Sequence, residues 1–123
     1  MTESRNQEIE RIKFEDILSL VFIVTSILNI YGDKLHIEYI ATNSREKELM
    51  ARDIYKLVLI ITILIYLYFL NRNYSFLKTA YENRQNTKLP FIRLMGSVFL
   101  IVGVILLLYV LVESDTIPDG VEI

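Results

Sequence analysis

Residues 94–112, LMGSVFLIVGVILLLYVLV, decide the fold. These nineteen consecutive uncharged residues, closed by Arg93 and Glu113, reach about 28 Å as an α-helix, close to the hydrocarbon thickness of a bilayer. The run has no polar face, so no side of such a helix suits water. A soluble three-helix bundle would spread charge over every helix with a period of about 3.6 residues. Once one segment must sit in lipid, the other apolar stretches read as its partners in the same membrane.

The composition agrees. The chain of 123 residues is 53% hydrophobic, with 13 Lys/Arg and 15 Asp/Glu gathered mostly between three apolar blocks. The expected architecture is an all-α integral membrane protein, a single domain over 1–123 with three transmembrane helices at about 14–31, 54–70 and 91–112. Loops are expected over 32–53 and 71–90, followed by an acidic tail over 113–123.

The first block, 17–31, is short for a span and extends through Phe14. Acidic residues precede it (Glu3, Glu8, Glu10, Glu15, Asp16) and no small-residue cleavage pattern follows, so it reads as a retained helix rather than a signal peptide. Residues 1–16 form a charged lead-in in which Glu8, Glu10, Arg11 and Lys13 alternate with Ile9, Ile12 and Phe14, which predicts a short juxtamembrane helix. Asp16, Ser19, Ser26, Asn29 and Asp33 recur at helical spacing on one stripe. Such a stripe faces protein or water. It either hydrogen-bonds neighbouring helices or lines a path for water or ions.

In the first loop, Gly32-Asp33 reads as a helix stop, residues 35–40 alternate weakly as a short strand or interfacial stretch would, and Asn43 with Glu46 reads as a helix start. Glu48 and Arg52 are spaced for an i,i+4 pair. The second block, 54–70, is broken only by Lys56; Tyr55, Thr62, Tyr66 and Asn73 share a face. Its tyrosines suit either the headgroup belt or a cavity lining. The second loop is basic, with Arg72, Lys78, Arg84, Lys88 and Arg93 against Glu82, and residues 74–82 predict a short surface helix. Pro90 suits the first turn of the third helix. Pro118-Asp119-Gly120 is turn chemistry in the tail.

Eight Lys/Arg fall on the side of the N-terminus and second loop, five on the other. Cytoplasmic segments are enriched in Lys and Arg, which predicts a plasma-membrane protein with the N-terminus cytoplasmic and the C-terminus outside. Gly96 and Gly103 recur on one face of the third helix beside Ser97, as expected where helix backbones approach closely within the chain or between subunits.

Nothing points to catalysis. There is no cysteine, and His36 stands alone with only Asp33 and Glu38 near it in sequence, so no cofactor or metal is expected. Ser44 and Ser75 lack a nucleophile motif, and the four glycines are never clustered as a phosphate loop needs. The net charge of −2 argues against nucleic acid, and no small-molecule substrate is identifiable. The richness in Ile, Leu, Tyr, Asn and Lys hints at a bacterium with an AT-rich genome. The expected role is that of a non-catalytic accessory, regulatory or assembly subunit in the bilayer, self-associating or bound to a larger membrane protein. The alternative is a homo-oligomeric channel or holin-like pore lined by the polar stripe.

Overall fold

The computed structural model describes residues 3–114 and Ile117, and it is all-helical over them: α1 (Arg5–Thr42), α2 (Arg45–Glu82) and α3 (Lys88–Glu113). All three are long and apolar enough to cross a membrane. At 38 residues each, α1 and α2 extend about 57 Å, well past the roughly 30 Å of a bilayer core, whereas the 26 residues of α3 reach about 39 Å. The molecule is thus a long antiparallel hairpin with a shorter third helix laid along it. Helix α2 is the spine. It packs against both neighbours, and no Cα of α1 approaches one of α3 within 8 Å.

Local chemistry sets the boundaries. Ser4 and Gln7 form a reciprocal capping box, with Oγ of Ser4 accepting from the Gln7 N–H at 3.2 Å and Oε1 of Gln7 accepting from the Ser4 N–H at 2.9 Å. The helix then runs unbroken, so the expected juxtamembrane helix is no separate element; residues 5–16 are the first turns of α1. The hairpin turn is only Asn43-Ser44. Asn43 takes the left-handed conformation that ends α1, and Ser44 caps α2 by accepting from the Lys47 N–H. The helix start expected at Asn43 therefore lies one residue later.

Most of the stretch expected as a loop over 32–53 is helical, and 35–40 is helix rather than strand. The reason lies at Gly32, which is a contact point and not a stop. A Cβ there would stand 2.9 Å from Cε1 of Tyr55 and 3.1 Å from Cγ2 of Ile54. Glycine lets α1 and α2 close on each other, and the sealed seam carries both helices onward past their apolar segments. Leu35, Ala51, Tyr55 and Leu59 are buried in that seam, and α3 joins them through Val104 and Leu111. Ile117, beyond α3, is buried against the same cluster; the Pro118-Asp119-Gly120 turn lies outside the described residues.

At the opposite end, residues 74–82 form the last turns of α2 rather than a detached surface helix. The end is a Schellman motif. Arg84 sits at φ 55°, its N–H bonds the Tyr81 carbonyl at 3.2 Å, and the Gln85 N–H reaches the Ala80 carbonyl at 2.8 Å. Pro90 falls in the first turn of α3, where its missing N–H leaves no bond unmade.

Candidate functional site

Polar side chains gather where α1 meets the distal half of α2. Glu15, with its side chain 16% exposed, accepts from Nη1 of Arg11, Nη1 of Arg72 and the hydroxyl of Tyr68, each at 3.1 Å. Arg11 also bonds Glu3 through Nε. Burial alone would lower the Arg11 guanidinium, but its hydrogen bonds to Glu15 and Glu3 hold it above the ordinary arginine value.

Arginines surround one ring here. The guanidinium carbons of Arg11, Arg72 and Arg93 lie 5.2, 5.8 and 5.9 Å from the centroid of Phe76, and Arg72 also stacks 4.7 Å from Phe69. Arg72 Nε and Nη2 donate to Oδ1 of Asn73, whose Nδ2 donates to Oγ of Ser97 on α3. One chain of hydrogen bonds therefore ties all three helices together at a single level. Among the described residues Arg93 makes no ion pair, so the cluster's charge is balanced on the α1 side and in excess beside α3.

Next to Arg93 an open cleft of about 500 Å³ runs between α2 and α3. Tyr66, Phe69 and Leu100 form its apolar wall, Gly96 its recess, and Arg72 and Arg93 its mouth. A smaller cavity of about 180 Å³ lies deeper, between all three helices, and Tyr66 borders both. Its polar lining includes Thr25, Ser26, Asn29 and Thr62. Thr25 and Ser26 donate to the Phe22 carbonyl at 2.8 and 3.0 Å, and Thr62 to the Val58 carbonyl at 2.8 Å, so these hydroxyls are satisfied by their own helix backbones.

The stripe read from α1 divides in place. Asn29 is buried and Ser26 borders the inner cavity; Asp33 accepts a 2.6 Å bond from the Tyr55 hydroxyl, whereas Asp16 and Ser19 stand exposed. Gly96 and Gly103 both look onto open space, with no atom from beyond their own turns of helix within 4 Å of a Cβ built at either. Of the basic set, Lys78, Arg84 and Lys88 are exposed near the α2–α3 turn, while Arg72 and Arg93 belong to the Phe76 cluster.

Two features escaped the sequence reading. Arg52 does not pair with Glu48. It crosses to α3, while the fully buried Glu48 pairs with Arg45. Glu15 as the hub was legible only as a lone carboxylate pair, Glu15-Asp16, at the edge of an apolar block. Among the described residues no three His, Cys, Asp or Glu side chains are grouped as a metal site needs. No protein-family model, no curated protein and no solved structure matches this chain.

Proposed function

We propose that the chain is a three-span membrane protein acting as an accessory or assembly subunit through helix contacts and its basic face, with no reaction of its own. The observation that carries this is the shape of the hairpin. With about 30 Å of α1 and α2 in the hydrocarbon, the remaining length projects as paired helical arms on both sides, stiff and charged. Glu38 and Lys47 pair at 3.5 Å across one arm, and the other ends in exposed Lys78 and Arg84, with Lys88 opening α3. Such arms suit docking against a partner's soluble surface. Exposed Ile17, Leu20, Ile23, Ile27 and Ile30 on α1, and Phe99 and Leu106 on α3, suit lipid or a partner's helices.

The rival reading is a homo-oligomeric pore lined by the stripe of α1. Asn29, the most deeply placed member of that stripe, is already buried within one chain. Light scattering of the solubilised protein, with the detergent contribution removed, separates the two. A monomer or dimer that leaves vesicles tight supports the subunit reading. A single mass of four or more chains, with an ion leak that Asn29→Leu abolishes, overturns it. The proposed N-inside orientation has its own test, since the chain lacks cysteine: Lys88→Cys should be labelled from the cytoplasmic side and Lys47→Cys from outside.

A further inference from the structure

The cleft beside Arg93 has the chemistry of a lipid site. We propose that it binds one anionic phospholipid, the phosphate at the guanidinium of Arg93 and an acyl chain lying in the recess at Gly96 against Leu100 and Tyr66. This rests on the membrane-spanning reading above.

Three observations converge. The cleft, about 500 Å³, falls within the roughly 300–1,000 Å³ of ordinary ligand sites. Its wall is apolar, and the polar atoms on its floor are spoken for, because Asn73 donates to Ser97 and Ser97 to the Arg93 carbonyl at 3.3 Å. Its mouth is cationic. No carboxylate lines it, and Glu15 offsets Arg72 from the far side while Arg93 has no ion pair among the described residues. A guanidinium at the end of an apolar cleft, at the level where a span meets the headgroups, is complementary to a phosphodiester with its chain below.

The same geometry selects against zwitterionic lipid. A choline headgroup would bring a fourth cation towards Arg11, Arg72 and Arg93, all within 6 Å of the Phe76 centroid. The recess also explains why glycine stands at 96. Leu100 lies one turn on along the same face, and any larger side chain at 96 would occupy the acyl path.

The test is native mass spectrometry of the purified full-length chain with equimolar dioleoyl phosphatidylglycerol and dioleoyl phosphatidylcholine. The phosphatidylglycerol adduct should exceed the other by about fivefold, the discrimination of one arginine near a lipid surface. Arg93→Gln should bring the two adducts level, Gly96→Leu should diminish both, and Lys88→Gln should change neither. Circular dichroism checks that each variant keeps its helices; Arg93→Gln and Gly96→Leu act independently, so loss of one to misfolding leaves the other decisive. Equal binding of the two lipids, or a preference that survives Arg93→Gln, overturns the proposal. So does displacement of phosphatidylglycerol by millimolar inorganic phosphate, which would make the site one for the free anion. A chain washed from membranes by carbonate would remove the spanning reading itself; a chain retained there without lipid preference would remove only this site.

Discussion

Nη2 of Arg52 on α2 donates to the carbonyls of Leu111 and Val112, at 2.7 and 3.1 Å, and so caps the last turn of α3 from a neighbouring helix. The last carbonyls of a helix have no partners of their own and carry its negative dipole end, so a cation is doubly suited there. Arg52→Met keeps the aliphatic stem and removes the charge-assisted bonds. It should lower stability by about 1.5–3 kcal/mol, and Arg52→Lys should recover part of that through the charge alone. Unfolding in mixed micelles followed by circular dichroism reads both; an unshifted midpoint for Arg52→Met would show that α3 docks without this cap.

The glycines give a contrast that needs no outside control. A Cβ at Gly32 would meet the Tyr55 ring at 2.9 and 3.3 Å, and that ring is buried with its hydroxyl held by Asp33. Gly32→Ala should therefore force α1 and α2 apart and cost about 1–3 kcal/mol. At Gly96 and Gly103 an added methyl meets nothing, so Ala at either should be neutral or gain up to about 0.5–1 kcal/mol from helix propensity. The same unfolding assay on the three variants decides it. Equal losses at all three positions would mean that glycine acts here through the helix backbone and not through the α1–α2 contact.

How far the sequence could be read follows from the same residues. Helix α3 is plain because nineteen residues without charge read as one long apolar helix. The hairpin was obscured because glycine has two uses: Gly32 followed by Asp33 resembles a stop, and only the spatial presence of Tyr55 makes it a point of close approach. The charges over 33–53 looked like loop composition, yet they lie on helical arms sealed by Leu35 and Ala51, where one buried stripe suffices. Of the arginines in the Phe76 cluster, Arg72 and Arg93 are visible in the basic second loop and Arg11 only as one charge of the N-terminal lead-in. Their convergence on one ring is not, because Arg11 and Arg93 lie far apart in sequence and meet only through α2.

Arg84 holds a backbone conformation that favours glycine, φ 55° at the residue following the cap of α2. Its side chain is exposed. Replacing it with glycine removes the steric cost of the left-handed region, about 1–2 kcal/mol, against a smaller entropic cost of ordering the freer glycine, for a net gain of about 0.5–1 kcal/mol. Arg84→Ala should not gain, since it retains the Cβ. A raised unfolding midpoint for glycine alone is the expected outcome; a fall would mean that the arginine side chain contributes a contact that outweighs the turn.

Glu15 should separate stability from lipid preference. Its carboxylate joins Arg11 and Arg72 and accepts from Tyr68, so Glu15→Gln leaves two guanidiniums crowded near Phe76 without their shared counter-charge. The site is partly open to solvent, which screens the pair, so the expected loss is about 1–3 kcal/mol rather than the larger penalty of a sealed ion pair. Glu3→Gln, on a more exposed bridge to Arg11, should cost less than about 1 kcal/mol. Freed from Glu15, Arg72 would present its charge to the cleft it shares with Arg93. Glu15→Gln should therefore unfold more readily than the parent chain yet favour phosphatidylglycerol over phosphatidylcholine more strongly, and a variant combining it with Arg93→Gln should keep part of that preference. If the weakened chain instead lost its lipid selectivity, the carboxylate would be acting to hold the cleft's arginines in place rather than to neutralise one of them.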